Sequence, residues 1–461
     1  MCKRLKWSTT ASVFLALACT DAASEPTSNP DLEVYSWWKS VGEQAAFEAL
    51  VTPFKLEHPG ARVENVHREN SEAARGDLGG LLLLGAPPNT FQTNAGADVL
   101  RWAAVDYESD AGSEPGVVPP PEEGFSLLAD VGPLLQETGA LDAMYPEVRR
   151  SVCARVGGEA RYFAVPVNVH RINLLYFNRQ LVRASGSTPE ELFTLANLCP
   201  ANLNAERLPF RISIAAIDNF SLMLLTFENL LLAFGPSTYV GFFSGEPPAS
   251  WRTDMERVLG CLWYLSRSFK NVGEWFLAVN DVATPTPQAT MTVMGDWANP
   301  EFAAAVGNAE LESIVGRMPF PGTENYFAFT SDSFPQPLEA RSREHTQNLL
   351  RSFADFDTQL AFSAAKGSIP AVRSGGAPAS LDAWALESLS AFEAPDQIKI
   401  LGTSGFFPSY VSQARISEEL RALTDVETAS DVPAAIGRVL ELLESSLSLF
   451  RTWQSRLEPC E

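Results

Sequence analysis

The chain has 461 residues, 46% of them hydrophobic and 20% charged, which allows two or three domains with sizeable cores. Its 34 Lys and Arg against 56 Asp and Glu give a formal net charge of −22, which would repel phosphate backbones and argues against nucleic-acid binding as the main role. The apolar fraction is ordinary and Phe occurs 28 times, so collagen-like and disordered classes are excluded.

The N-terminus has the pattern of an export signal. Lys3, Arg4 and Lys6 precede a moderately apolar stretch over residues 7–18. That stretch is too short to span a hydrocarbon core of about 30 Å. We therefore predict a signal peptide over residues 1–18.

The residues that follow predict a lipid anchor. Residues 15–19 (LALAC) resemble a bacterial lipobox, in which Cys19 is lipidated and becomes the mature N-terminus. The alternative is plain cleavage near Ala18, with Cys19 an ordinary thiol. Residues 19–30 are polar and contain Pro, as expected of a lipid-anchored tether. We expect an exported protein of the periplasm or cell envelope that contacts the membrane through this lipid alone.

After the tether, predicted strands and helices alternate. Residues 32–36 form a short β-prone run, and apolar residues recur at helical spacing over 42–57. A second strand is predicted over 62–67, a helix over 72–84 and a third short strand over 90–93. This alternation predicts an α/β fold with a parallel sheet and helices on both of its faces.

The rest of the chain continues the α/β pattern. Two consecutive strands are predicted over 161–169 and 173–177, and an amphipathic helix over 432–457. Residues 108–124 are acidic and rich in Pro and Gly, which predicts a solvated surface insertion, with a recognition motif as the alternative.

Cysteine and histidine usage fits an exported protein without a metal site. Removal of the signal and lipidation of Cys19 leave Cys153, Cys199, Cys261 and Cys460, which allow two disulfides in three pairings. No CxxC pair occurs, and the four histidines show no metal-ligand spacing. We therefore expect no metal ion and no cofactor.

Sequence signatures of catalysis are absent from the chain. It contains no GxxxxGK[ST] phosphate loop, no GxGxxG turn, no HExxH and no GxSxG nucleophile elbow. This shifts the expectation from an enzyme towards a binding protein.

Seven separated segments together carry a family resemblance. They are 35–43 (YSWW with a later Gly-Glu), 86–96 (APPNTFQTNAG), 164–173 (AVPVNVHRIN), 226–235 (TFENLLLAFG), 294–298 (MGDWA), 321–334 (PGT and SDSF) and 366–370 (KGSIP). In these segments and their order, the chain resembles the extracellular solute-binding proteins of bacterial ABC sugar importers, particularly the glucose/mannose-binding branch.

The resemblance implies a periplasmic-binding-protein-like fold of two α/β lobes with a ligand cleft between them. The implied lobes are residues 31–168 and 325–365 for the first, and residues 169–324 and 366–461 for the second. Open parallel sheets bind ligands beyond the carboxyl ends of their strands, so residues that follow strands should line the cleft.

By resemblance, ten residues would form the sugar site. They are Trp37, Trp38, Glu43, Gln92, Asn94, Asn219, Phe220, Asp296, Trp297 and Lys366. Aromatic planes bury the apolar face of a pyranose, while carboxylates and amides bond adjacent hydroxyls. The alternatives are structural: a tryptophan in the core, Glu43 complementing a helix dipole, Asp296 capping a turn or Lys366 as a solvated charge.

Four positions depart from the family pattern and leave the identity of the sugar open. Phe220 replaces a typical Trp, Asn94 replaces a common His, residues 401–407 lack a usual His, and Arg-Ser-Gly at 373–375 replaces Arg-x-Asp. His170 lies in a matched segment, and we interpret it as a hinge or packing residue rather than a ligand contact.

The resemblance also implies one disulfide. Family members can carry a cysteine pair at the positions of Cys199 and Cys261, in two helices of one lobe, which leaves Cys153 and Cys460 for a second bridge. In the chain-entropy model, a bridge that closes a loop of ~60 residues stabilises the fold by ~4 kcal/mol.

Together these features predict a monomeric binding protein without catalytic activity. It would capture a monosaccharide or short oligosaccharide by hinge closure and deliver it to the transmembrane subunits of an ABC permease. Two alternatives remain: an exported receptor for another solute, and a secreted glycoside hydrolase that uses carboxylates such as Glu43 and Asp296.

Overall fold

The computed structural model covers most of the chain after the predicted tether. It describes residues 31–68, 71–103, 126–202, 205–215, 228–284, 286–373, 379–402, 410–456 and 458–460. The predicted signal peptide, Cys19, the tether, the insertion at 108–124, Asn219 and Phe220 lie outside these ranges.

Helices and strands alternate through these ranges. The strands are β1 Asp31–Ser36, β2 Arg62–His67, β3 Thr90–Phe91, β4 Thr93–Asn94, β5 Cys153–Val156, β6 Glu159–Tyr162, β7 Val165–Pro166, β8 Asn168–Arg171, β9 Leu174–Asn178, β10 Ile212–Ala215, β11 Phe269–Val272, β12 Met291–Met294, β13 Val315–Pro319, β14 Tyr326–Thr330, β15 Asp332–Phe334, β16 Ile369–Pro370, β17 Ile398–Leu401 and β18 Glu458–Pro459. The helices of the first half are α1 Val41–Glu57, α2 Ser71–Leu83, α3 Ala97–Ala103, α4 Gly132–Glu137, α5 Ala140–Ala143, α6 Pro146–Ser151, α7 Arg179–Ala184, α8 Pro189–Leu192, α9 Leu195–Leu198 and α10 Leu231–Phe234. Those of the second half are α11 Pro236–Phe243, α12 Trp251–Ser266, α13 Trp275–Ala283, α14 Asn299–Val306, α15 Leu311–Ile314, α16 Arg343–Ala354, α17 Phe356–Lys366, α18 Ala383–Glu393, α19 Tyr410–Thr424 and α20 Val432–Arg456.

The first three strands form the predicted parallel arrangement. β1 pairs in parallel with β2 on one side and with β3 on the other. The single strand predicted over 90–93 is two short strands, because β3 pairs with β1 whereas β4 pairs with β15. The chain therefore bends at Gln92, between the two strands.

Local sequence explains why α1 begins where it does. The hydroxyl of Ser40 accepts a hydrogen bond from the Glu43 N–H, and the Glu43 carboxylate accepts one from the Ser40 N–H, which is a capping box. Apolar residues at helical spacing, including Phe47, Leu50 and Phe54, are buried against the core. The start of this helix is thus fixed, and with it the position of Glu43.

A second sheet has the order β11-β10-β12-β9-β13. β10 runs parallel to β11 and β12, whereas β9 runs antiparallel to β12 and β13. The predicted α/β fold is confirmed, although this sheet is mixed rather than fully parallel. The strand predicted over 173–177 is β9, and the helix predicted over 432–457 is α20.

Buried apolar side chains form two large clusters, one in each of two bodies of the molecule. The first cluster surrounds α1, α16 and α17, and we call this body lobe 1. The second surrounds β9, β12 and α12, and we call this body lobe 2. A smaller cluster around α2 and α3 covers the sheet of lobe 1.

A four-stranded sheet joins the two lobes, in the order β16-β8-β14-β17. β8 includes residue 169 and β14 begins next to residue 325, the positions near which we predicted that the chain crosses between lobes. Residues 366–461 were expected in lobe 2, but Ile369, Val372 and Phe392 belong to the buried cluster of lobe 1. The reason is α18, whose Phe392 ring packs at 4.9 Å from Phe327 and 5.7 Å from Phe329.

Two disulfides tie distant parts of the chain together. Cys199 and Cys261, the pair that the resemblance implied, are bonded within lobe 2. Cys153 and Cys460 form the second bridge, between β5 and the C-terminal strand that pairs with it. Within the described ranges, no helix is both long and apolar enough to cross a membrane.

Candidate functional site

Five of the predicted site residues meet where the two lobes join. Glu43 lies in the first turn of α1, Gln92 between β3 and β4, and Asp296 directly after β12. Lys366 is the last residue of α17, and its Nζ lies 3.3 Å from Glu43 Oε1. The same Nζ lies 5.4 Å from the centre of the Trp38 ring.

A residue that the sequence did not nominate, Asp332, lies at the centre of this group. Its Oδ1 accepts a hydrogen bond from Gln92 Nε2 at 2.7 Å, and its Oδ2 accepts one from Asn168 Nδ2 at 3.0 Å. Burial alone would raise the pKa of Asp332, but hydrogen bonds and charge from His170 and the charge of Lys366 lower it. Asp332 is therefore an ionised carboxylate inside the protein.

His170 bridges carboxylates from the two lobes. Its Nδ1 bonds Asp296 Oδ1 on the lobe 2 side, and its Nε2 lies 3.2 Å from Asp332 Oδ2. Burial alone would lower the pKa of His170, but the charges and hydrogen bonds of Asp296 and Asp332 outweigh burial and raise it. We call Glu43, Lys366, Asp332, His170 and Asp296 the junction cluster.

Asp296 is held in place from two directions. Its Oδ2 accepts a hydrogen bond from the Arg171 backbone N–H at 2.8 Å, while its Oδ1 is bonded by His170. It begins the 3₁₀ turn Asp296–Ala298 and has no exposed surface. The Asp296 side chain therefore bonds residues of strand β8 and does not cap its own turn.

The three predicted tryptophans have different surroundings. Trp38 is 1% exposed and packs between the rings of Phe334 and Phe362, so it is part of the lobe 1 core rather than a free stacking surface. Trp37 is only partly buried, with the Arg75 guanidinium 4.7 Å from its ring centre. Trp37 is thus the less buried member of the pair.

Trp297 contributes an aromatic ring from lobe 2. It packs edge-on against His170, with ring centres 5.3 Å apart. A Cβ at Gly295 would lie 2.1 Å from the Trp297 ring, so only glycine permits this ring position. The glycine of the MGDWA segment therefore has a steric role.

Asn94 lies at the edge of the same group. It is paired opposite Asp332 between β4 and β15, and its backbone N–H donates to Asp98 Oδ2 at 3.0 Å. Asn94 is 5% exposed. Its place next to Asp332 brings it close to the other predicted residues.

The two lobes are in contact across the predicted cleft. Lys39 Nζ in lobe 1 lies 2.8 Å from Glu274 Oε1 in lobe 2, and the Gly42 N–H donates to Glu301 Oε1 at 2.8 Å. Asn299 Nδ2 also donates to the Gly367 carbonyl at 3.3 Å. The structure therefore shows the lobes in a closed arrangement.

The site provides acceptors, donors and aromatic surface, but not a metal centre. A carboxylate can accept about four hydrogen bonds, so Asp296 and Asp332 retain capacity for hydroxyl groups. In the described part of the chain, no group of three or more His, Cys, Asp or Glu could hold a metal ion. This chemistry fits recognition of a polar, uncharged ligand.

Solved structures with the same architecture are solute receptors. The bacterial solute receptor AcbH, whose reported preference is β-D-galactopyranose, matches with a TM-score of 0.69 and 13% identity, covering 91% of this chain and 99% of that one. A chitin oligosaccharide binding protein matches with a TM-score of 0.68 and 16% identity, covering 91% and 99%. The fold is that of the two-lobed solute-binding proteins.

Curated relatives are similar in sequence over most of their length. The chain is 26% identical over 388 residues to an uncharacterized ABC transporter extracellular-binding protein of Pyrococcus horikoshii, covering 77% of this chain and 76% of the relative. It is 26% identical over 353 residues to a "probable sugar-binding periplasmic protein" of Mesorhizobium japonicum, covering 74% and 76%. It is 23% identical over 352 residues to the xylose/arabinose-binding protein of Haloferax volcanii, covering 74% and 69%.

The chain is therefore a homologue of the extracellular solute-binding proteins of ABC transporters and has their fold. No protein-family model matches it. The relatives and structural neighbours are binding proteins, not enzymes, which agrees with the sequence prediction.

Proposed function

We propose that this chain is the sugar-capturing component of an ABC importer. The observation that carries this proposal is the convergence of Glu43, Gln92, Asp296 and Lys366, with Asp332 among them, where the lobes meet. Buried carboxylates and amides beside aromatic rings suit a ligand with many hydroxyl groups. The printed names of the relatives support the same ligand class.

Capture would proceed by hinge closure. Lobe 1 supplies Glu43, Gln92 and Asp332, and lobe 2 supplies Asp296 and Trp297. Only the closed state offers a sugar contacts from both sides, so binding shifts the equilibrium towards closure. The closed surface would then be recognised by the transmembrane permease, which takes up the sugar.

Export and anchoring complete the proposal. The relatives are named extracellular or periplasmic, which supports an exported protein. We further propose that lipid on Cys19 holds a monomeric receptor to the membrane through the tether at 19–30. Mass spectrometry of the protein from a bacterial membrane fraction would show a diacylglyceryl group on Cys19, and cleavage without lipid would contradict it.

A thermal-shift panel tests the ligand class. Mono- and disaccharides at millimolar concentration should stabilise the protein by roughly 4 kcal/mol if the affinity is micromolar. Amino acids and short peptides should leave the melting temperature unchanged. If they shift it and no sugar does, the chain is a receptor for a different solute. Release of reducing sugar from an oligosaccharide would instead indicate a glycoside hydrolase.

Substitution at the site tests where the ligand binds. Glu43→Gln keeps the shape and the capping role of the side chain but removes its charge, and we expect a 10- to 100-fold loss of affinity for the sugar found in the panel, or about 1.4–2.8 kcal/mol. The matched control is Glu48→Gln on the same helix, where the side chain is 63% exposed. Unfolding without sugar separates lost binding from lost folding. Equal affinity for the sugar in both variants would mean that Glu43 is not part of the binding site.

A further inference from the structure

Two buried arginines, Arg171 on β8 and Arg317 on β13, lie close together at the lobe junction. Arg171 is 4% exposed, and the side chain of Arg317 is 3% exposed. Burial, together with the nearby positive charge of Arg317, lowers the pKa of Arg171 to about 10. Two like charges removed from water are costly unless other groups compensate them.

Compensation by the described residues is incomplete. Arg317 Nη2 donates to the Trp384 carbonyl and to Glu387 Oε2, the latter at 2.9 Å. Arg317 Nε and Nη1 are buried and have no hydrogen-bond partner among the described residues. The side chain of Glu387 is 58% exposed, so much of its charge is screened by water.

Arg171 is also weakly bonded. Its Nε donates to Asn173 Oδ1 at 3.3 Å, which is a neutral acceptor. The carboxylates of Glu387 and Asp296 act on Arg171 through their charges, but Glu387 is bonded to Arg317, and both oxygens of Asp296 are already bonded, by His170 and by the Arg171 backbone N–H. The described contacts therefore leave two buried N–H groups of Arg317 without an acceptor, and the printed bond of the Arg171 guanidinium goes to a neutral oxygen.

Aromatic rings form the walls beside the two arginines. The Arg171 guanidinium carbon lies 5.0 Å from the centre of the Phe327 ring, and that of Arg317 lies 5.1 Å from the centre of the Trp384 ring. Tyr176 faces Arg317 across the β9–β13 pair, and Arg317 acts on its hydroxyl, but that hydroxyl bonds Asn299 Oδ1 at 2.7 Å and is not within hydrogen-bond distance of Arg317 Nε or Nη1. Ring faces attract a cation but do not accept the in-plane N–H bonds of a guanidinium.

We propose that this arginine pair, Arg171 and Arg317, binds a small inorganic anion such as chloride. The anion accepts the hydrogen bonds of Arg317 Nε and Nη1 and adds negative charge beside two buried guanidinium groups. A water molecule could accept these bonds but would add no negative charge beside the two guanidinium groups. The anion would bond Arg317, which is not among the proposed sugar contacts, although Arg171 adjoins Asp296, which is; the inference does not depend on the proposed function.

Anion-dependent unfolding tests the proposal in solution. The melting temperature of the wild-type protein should be about 2 °C higher in 150 mM sodium chloride or bromide than in sodium methanesulfonate at the same ionic strength. Arg317→Met removes the charge but keeps a long side chain, and the halide effect should disappear. The matched control is Arg438→Met, where the side chain is 54% exposed, and the effect should persist.

Diffraction keeps the test decisive if Arg317→Met does not fold. Wild-type crystals grown in sodium bromide should show an anomalous peak within hydrogen-bond distance of Arg317 Nε and Nη1. Equal melting temperatures in halide and methanesulfonate would overturn the proposal. A bromide peak without the halide effect in solution would indicate an adventitious ion only and would overturn it equally.

Discussion

Two buried clusters of charged side chains in this protein differ in how their charges are satisfied. In lobe 1, Asp98 accepts from Arg75 Nε at 3.0 and 3.1 Å and from Arg101 Nη2 at 2.5 Å. The Asn94 N–H adds a further bond at 3.0 Å. We call Asp98, Arg75 and Arg101 the Asp98 cluster. In the junction cluster, by contrast, Lys366 contacts Glu43 through one nitrogen atom, and each ring nitrogen of His170 contacts one carboxylate.

The difference separates a structural cluster from a candidate ligand site. The Asp98 cluster joins α2 to α3 within lobe 1, and its carboxylate is surrounded by protein donors. Burial alone would raise the pKa of Asp98, but the two arginines lower it. The junction cluster takes its groups from both lobes and keeps unused acceptor capacity. Buried charge alone therefore does not mark a site, whereas shared and incompletely satisfied charge does.

Removal of the Asp98 charge should give the largest effect. Asp98→Asn removes the carboxylate charge that two buried guanidinium groups share, which should lower the free energy of unfolding by about 3–5 kcal/mol. Urea denaturation followed by tryptophan fluorescence measures this loss.

An exposed ion pair provides the control for Asp98. Asp77→Asn removes the partner of Arg68, but the Asp77 side chain is 56% exposed, so the loss should stay below about 1 kcal/mol. Similar losses in the free energy of unfolding would mean that the Asp98 cluster contributes no more to stability than a surface ion pair.

Features of the fold that depend on short-range sequence patterns could be predicted from the sequence. The start of α1 follows from Ser40 and Glu43 in a capping box and from apolar residues at helical spacing. The alternation of strands and helices gave the α/β fold. The family resemblance nominated Glu43, Gln92, Asp296 and Lys366 as candidates for one site. Glu43, Gln92 and Asp296 follow strands of two different sheets, and Lys366 ends α17.

The rest depends on contacts between residues far apart in sequence. Asp332 lies in the SDSF segment, but its bonds come from Gln92 and Asn168, 240 and 164 residues away. Trp38 is adjacent to Trp37, and only packing against Phe334 and Phe362 makes it a core residue. No local sequence pattern indicates which of two neighbouring tryptophans is buried.

A smaller effect should follow from loosening the rim of the closed cleft. A Cβ on Gly42 would lie 2.8 Å from Glu301 Oε1 and 3.0 Å from Pro300 Cγ, both in lobe 2. Gly42→Ala should therefore break the contact between Gly42 and Glu301 and favour the open state, with an affinity for sugar about 5-fold weaker. Small-angle X-ray scattering should show a larger radius of gyration without ligand.

The helix itself should tolerate the change, since Ala is a better helix former than Gly. Gly80→Ala in α2 is the matched control, because a Cβ there meets nothing within 4 Å. An unchanged radius of gyration and affinity in Gly42→Ala would show that the rim contact does not hold the lobes together.

The smallest effect concerns the pH dependence of the junction cluster. The raised pKa of His170 means that the folded state binds its proton more tightly than the unfolded state, whose pKa is near 6.5. The stabilisation by protonated His170 is therefore complete below about pH 6.5 and is lost as pH rises through the folded-state pKa. Asp332 has the opposite sign, and its contribution is lost as pH falls below about 3.8.

Urea denaturation from pH 5 to 9 compares the wild type with His170→Gln. The wild type should be more stable at pH 5 to 6. The difference should narrow as pH rises, because His170 then loses one of the two ring protons with which it donates to both Asp296 and Asp332. His67→Gln, at an exposed position, should follow the wild-type profile. A constant difference across this range would mean that His170 holds the two carboxylates without a positive charge. The junction cluster would then carry more negative charge than the geometry indicates, which would favour a cationic solute over a neutral sugar.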